Sequence, residues 1–110
     1  MAGHTKADLA RFDRLNQMGC IACRINNGSW VQSEVAHVTD SGRRVGHQAT
    51  IPLCPWHHRA VVPSGLDEKE MTRIYGPSFA KGKATFYAAF GSEHFLLDKT
   101  DIYLGKKKRD

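Results

Sequence analysis

The sequence predicts a small α+β domain in which a strand, a loop, a second strand and a helix form one unit, braced by a metal knuckle and flanking helices. Three observations predict it. The chain has 110 residues and three cysteines, and these fall into two short half-sites, Cys20-x2-Cys23 and Cys54-x2-His57. At that spacing one turn presents two side chains to one ion, and thiolate with imidazole is the donor chemistry of zinc. Two extended-looking segments, 30–38 and 49–53, precede the second half-site, and periodic apolar patterns lie on either side of the whole.

Each element has a local reason. Thr5-Lys6-Ala7-Asp8 offers a hydroxyl cap and an acid three residues on, and Leu9, Phe12 and Leu15 follow at helical spacing. A helix is expected over 6–18, stopped by Gly19, which delivers the chain into a tight turn at Cys20. Asn26-Asn27-Gly28-Ser29 reads as a turn, 30–38 as the first strand, and 39–47 as a polar, basic, glycine-bearing loop. Residues 49–53 return as a second strand, which Pro52 restricts to an edge or a strand end. Pro55 suits a first helical turn, so a helix runs through Trp56, His57 and His58 until Pro63-Ser64-Gly65. Three more helices are expected over 67–75, 83–90 and from the Ser92 cap onward. In the last, Phe95, Leu96, Ile102 and Tyr103 recur seven apart, an apolar stripe assigned to the core.

Length and composition bound the rest. One domain is expected over 1–105, followed by a basic tail at 106–110, and a metal staple suits a core of this size. No apolar run of about 20 residues and no signal-like segment occurs, which points away from membranes and toward a reducing cytoplasm. The cysteine number is odd, so metal is a better reading than a disulfide framework. The net charge is +5, with cations gathered at Arg43 and Arg44, at Lys81 and Lys83, and at Lys106, Lys107, Lys108 and Arg109. Such clustering suits DNA or another polyanion, held through its backbone.

The chemistry concentrates in Cys54-Pro55-Trp56-His57-His58-Arg59. Cys20, Cys23, Cys54 and His57 complete a four-ligand zinc set and leave His58 over beside it. His37 ends the first strand, so imidazoles stand at both ends of the strand, loop, strand and helix. Phosphodiester hydrolysis needs a base to activate water, a divalent ion to polarise the phosphate, and cations to hold the backbone. His37, an ion held by His58, and Arg43 or Arg44 can fill those parts.

At this point the sequence resembles the HNH, or ββα-metal, endonucleases, and within them the phage Ref family, named for recombination enhancement and described as RecA-dependent nucleases. The resemblance is carried by Cys20-x2-Cys23, Glu34-Val35-Ala36-His37-Val38, Gly42-Arg43-Arg44-Val45-Gly46-His47 and the block from Ile51 to Arg59, with Tyr75-Gly76-Pro77-Ser78 and Phe90-Gly91-Ser92-Glu93 beyond them. It implies that His37 is the general base, that His58 binds a catalytic divalent ion such as Mg2+, and that Cys20, Cys23, Cys54 and His57 hold structural Zn2+. It also implies 5′-phosphate and 3′-hydroxyl products, a RecA-type recombinase filament as partner, and action in the cytoplasm of a bacterial host. Ala36 departs from the pattern, since such sites carry a His or Asp ligand directly before the base. His47 is the candidate for the middle position of the motif, either orienting His37 or replacing the ligand lost at Ala36. Glu34, upstream on the same strand, is expected to share the face of His37 and so to reach the ion, although ordinary surface placement is the preferred reading.

Two other functions stand against the enzyme. A non-catalytic, zinc-stapled DNA-binding module would keep the fold and lose the metal site through Ala36. A zinc-based protein adaptor would need neither His37 nor His58.

Overall fold

The computed structural model describes residues 5–40, 43–44 and 49–105. Helix α1 (Lys6–Met18) starts where expected: the Thr5 hydroxyl accepts from the Asp8 amide at 3.0 Å, and the Asp8 carboxylate accepts from the Thr5 amide at 3.1 Å. That reciprocal pair satisfies two of the amides a helix start leaves open. Gly19 ends the helix at φ +82, and a Cβ there would stand 2.6 Å from the Trp30 indole, so both conformation and space call for glycine.

The segment from Cys20 is more ordered than a turn. Helix α2 (Ile21–Asn27) begins on Cys20 as its cap and closes at Gly28 in the left-handed region. Strand β1 (Glu34–His37) is shorter than the expected 30–38, because Trp30 and Ser33 are spent on α1 instead. The Trp30 indole N–H donates to the Gln17 carbonyl, and the Ser33 hydroxyl to that of Leu15. The expected loop holds a small antiparallel pair, β2 (Thr39–Asp40) with β3 (Arg43–Arg44). Strand β4 (Thr50–Leu53) then pairs antiparallel with β1, Glu34 opposite Leu53 and His37 opposite Thr50, and leads into α3 (Pro55–Arg59). The expected strand, loop, strand and helix are thus present in an α+β fold.

Because β1 and β4 share a pleat, Glu34, Ala36, Ile51 and Leu53 point to one face, and Val35, His37, Thr50 and Pro52 to the other. Helix α3 meets the Glu34 face and α1 the Thr50 face, as their side-chain bonds show. On the α1 face a buried guanidinium joins three elements. Arg11 donates from Nε to the Thr50 hydroxyl at 2.7 Å and from Nη2 to the Thr50 carbonyl at 2.6 Å. Its Nη1 pairs with Asp101 of α6 (Glu93–Tyr103) at 2.7 Å, both side chains being buried.

The remaining helices close the core. Helix α4 (Glu68–Tyr75) buries Met71 but leaves Ile74 exposed, while α5 (Lys83–Phe90) buries Phe86 and Phe90. Leu15, Ile21, Ile51, Leu53, Phe86 and Leu96 are fully enclosed. In α6 the expected stripe is corrected: Phe95, Ile102 and Tyr103 are exposed, and Leu96, Leu97 and Thr100 face inward. A repeat of seven fits two neighbouring stripes of an α-helix equally, and the buried Asp101 pair selects the second. No helix of the described residues is long and apolar enough to cross a membrane.

Candidate metal centre and the histidine beside it

The two half-sites are one device used twice. Cys20 caps α2 and its sulfur accepts from the Cys23 amide at 3.4 Å; Cys54 caps α3 and accepts from the His57 amide at 3.5 Å. A cap residue and the residue three positions on lie on the same turn, which is why each x2 spacing delivers a pair of ligands to one point.

All four side chains are buried, and their ligand atoms lie within 4.8 Å of one another. The His57 Nδ1 is 3.5 Å from the Cys20 sulfur, 3.6 Å from that of Cys23 and 3.3 Å from that of Cys54. The Cys23 and Cys54 sulfurs are 3.9 Å apart. Tetrahedral zinc, with bonds of about 2.3 Å to sulfur and about 2.0 Å to nitrogen, sets edges of about 3.8 Å between sulfurs and about 3.5 Å from sulfur to nitrogen. The four groups therefore fit, and could hold, a zinc ion.

The surroundings fix the donors. His57 Nε2–H donates to the Tyr75 carbonyl at 2.8 Å, which leaves Nδ1 with the lone pair that faces the sulfurs. The rings of Phe90 and Phe86 close over the imidazole, at 5.2 and 6.3 Å between centroids. Without a cation the cluster is in conflict: hydrogen bonds from Cys20 and Cys23 push the Cys54 thiol far down, while bonds to Cys20 and Cys54 push the Cys23 thiol far up. Burial opposes a charge on His57, yet hydrogen bonds and charge interactions with the sulfurs of Cys20 and Cys54 outweigh it and raise its pKa to about 9. A dication among the four groups removes that conflict, because it neutralises the thiolates that a buried, proton-only cluster cannot all sustain.

His58 is turned out of this cluster. One residue further round α3, about 100° by helical geometry, it faces β1 rather than the sulfurs. Its Nδ1 is 2.8 Å from Glu34 Oε1 and its side chain is half-buried. Arg59 grips the same carboxylate in a fork, Nε to Oε1 at 2.9 Å and Nη2 to Oε2 at 2.5 Å. That fork, helped by the His58 bond, holds the Glu34 carboxyl below the ordinary 4.5 against the opposing cost of burial. Glu34 is three residues from His37, so the pleat sends the two to opposite faces; its partners lie on α3, whereas the His37 ring packs edge-on against Phe12 of α1, 6.0 Å between centroids.

Of the residues singled out from sequence, the structure brings Cys20, Cys23, Cys54 and His57 together and sets His58 beside them. Arg43 and Arg44 form β3, and their side chains lie outside the described residues. His47, Lys106, Lys107, Lys108 and Arg109 lie outside them as well. Sequence reasoning missed the Glu34, His58 and Arg59 constellation. Its available signal was parity: Glu34 is two residues from Ala36, on the face where the usual ligand would stand.

The sequence profile of the family described as "Recombination enhancement, RecA-dependent nuclease" matches residues 4–104, nearly the whole chain. The chain belongs to that family. No curated protein matches it. The match spans both cysteine half-sites, β1, β4 and α3, so the metal-fit cluster and the histidine beside it are parts of the RecA-dependent nuclease domain rather than additions to it.

Proposed function

We propose that this RecA-dependent nuclease is a metal-dependent DNA endonuclease of the HNH type, acting in phage DNA recombination and assisted by a recombinase filament. The observation that carries the reading is His58: it follows a zinc-fit ligand on α3, and a carboxylate engages its Nδ1 at 2.8 Å, so Nε2, which has no hydrogen-bond partner among the described residues, is the nitrogen left to take a metal. Zinc on Cys20, Cys23, Cys54 and His57 is structural, because the donors are buried and closed by aromatic rings. His58 would hold a divalent ion, Mg2+ or a similar hard cation, which would supply polarisation of the scissile phosphate and charge stabilisation at the leaving oxygen.

The protein's own groups do the rest. His37 takes the proton from the attacking water. His37 and Glu34, the partner of His58, point to opposite faces of β1. His47 orients His37 or completes the metal shell, and Arg43, Arg44 and the tail from Lys106 to Arg109 hold the DNA backbone without reading bases. The domain spans 1–105.

One observation favours a second reading, a zinc-stapled DNA-binding module without catalysis: Ala36, where a ligand is usual, is 1% exposed and packed in the core. Nicking of supercoiled plasmid separates the two, run with Mg2+ or Mn2+, with and without a RecA-type filament. The enzyme nicks, stops with EDTA and recovers when excess Mg2+ is returned. Binding without nicking in every arm establishes the module instead.

A further inference from the structure

We infer that Glu34 is a positioning residue, which fixes His58 as the Nδ1–H tautomer and thereby presents its Nε2 to the catalytic ion. The inference rests on the proposed role of His58 as a metal ligand. It begins with the pleat. Glu34 and Ala36 share the face that meets α3, and at Ala36 that face has a methyl group sealed in the core. The acidic group that reaches α3 stands one pleat repeat back along β1, at Glu34.

From there the carboxylate can act in two ways, and its other partner decides between them. A carboxylate 2.8 Å from an imidazole nitrogen is spaced either as a hydrogen-bond acceptor or as a neighbouring ligand on one ion. Arg59 occupies both of its oxygens, at 2.9 and 2.5 Å, and places a fixed positive charge against them. A dication on the same oxygens would meet that charge at close range, whereas a hydrogen bond from an imidazole N–H would not. Glu34 is therefore an acceptor for Nδ1–H, and the Arg59 fork keeps it aimed. A histidine whose one nitrogen donates to a carboxylate binds metal through the other, with its basicity raised and its ring held still.

The full-length, zinc-loaded protein tests this with two readouts that do not depend on cleavage. Nitrogen NMR of the His58 ring reports the tautomer, and titration with Mn2+ followed by electron paramagnetic resonance reports metal affinity. In the parent, His58 should be a single Nδ1–H tautomer. In Glu34→Ala the tautomers should mix and Mn2+ binding should weaken by about 10- to 100-fold, the usual cost of removing such a partner. Glu34→Gln keeps an oxygen that can accept and should lose less. Zinc content and melting temperature confirm that each variant is folded; Glu34 is partly exposed, so all should be. An unchanged tautomer and Mn2+ affinity in Glu34→Ala, with Mn2+ lost in His58→Ala, overturn the inference and leave the His58 assignment standing. Loss of Mn2+ in Glu34→Gln as complete as in His58→Ala makes Glu34 a ligand and also overturns it. Parental Mn2+ binding by His58→Ala removes the ligand role itself, and the inference with it.

Discussion

The two sides of α3 treat their histidines in opposite ways. His57 is fully buried, with one ring nitrogen on the Tyr75 carbonyl, the other among three sulfurs, and two phenyl rings over it. His58, one residue on, is half-exposed and, among the described residues, has one nitrogen engaged, by a carboxylate that an arginine also holds. A structural metal site is closed on every side, while a catalytic one keeps a position open to solvent and substrate. One short helix supplies both because a single residue step turns the side chain from the core to the surface. Chelation and mutation should therefore act very differently at the two histidines.

The largest effect should come from breaking the closed side. Cys23→Ser removes a ligand from a cluster whose metal-binding energy is folding energy, about 10–16 kcal/mol in small zinc sites and as large as the stability of a whole domain. The variant should lose its zinc and its cooperative melting transition. Purified protein without zinc, together with a parental melt for Cys23→Ser, would mean that the cluster is a thiol core and not a metal centre.

Next comes the opposite face of the hairpin, where Arg11 takes the place of a metal as the cross-link. Asp101→Ala leaves a buried guanidinium facing an empty position, which costs about 3–5 kcal/mol. Replacing both partners, Arg11→Met with Asp101→Leu, should recover much of it. Thermal unfolding checks both, and a larger loss in the double variant than in Asp101→Ala would show that the Thr50 bonds, not the ion pair, carry the clamp.

These two cross-links also mark what the sequence could disclose. The zinc-fit set was legible because each half-site is local, a cap and the residue three positions on, and only two such pairs exist to be combined. The capping box of α1 and the Gly19 stop were legible for the same reason. The Arg11 and Asp101 pair joins positions 90 apart, and nothing in either neighbourhood announces the other. Without it the inward face of α6 was open, and the stripe of Phe95 and Ile102 was assigned to the core although those residues are exposed. Strand β1 was read too long because Trp30 and Ser33 look like strand residues and are in fact spent on α1 carbonyls. Glu34 was half-legible: its pleat parity with Ala36 is in the sequence, but its hold on His58 needs the position of α3.

At the open side the effects should fall on rate rather than stability. His37→Ala should retain zinc, fold and DNA binding while cutting plasmid nicking by roughly 10²-fold or more, the scale of a general base. His58→Ala should also stop nicking but through loss of the ion, so raising Mg2+ should rescue His58→Ala in part and His37→Ala not at all. If His37→Ala nicked at the parental rate under conditions where EDTA stops both, the base would be another residue.

The smallest effect sharpens the contrast between the sides, because it concerns how little the open side contributes to folding. Glu34, His58 and Arg59 form a partly exposed network, and Glu34→Gln should lower stability by less than about 1 kcal/mol, the range of surface ion pairs. The pH dependence follows from the Arg59 fork, which holds the Glu34 carboxyl below its ordinary 4.5 in the folded chain. A depressed carboxyl contributes stability that is complete above its unfolded value and is lost only as acid passes through the folded one. The gap in melting temperature between parent and Glu34→Gln should therefore stay level from about pH 8 to about pH 5.5, a window above both values, while high salt narrows it. A gap of several kcal/mol would make this side a second structural staple. A level, narrow gap beside a large loss of metal affinity would place the value of Glu34 in aiming His58.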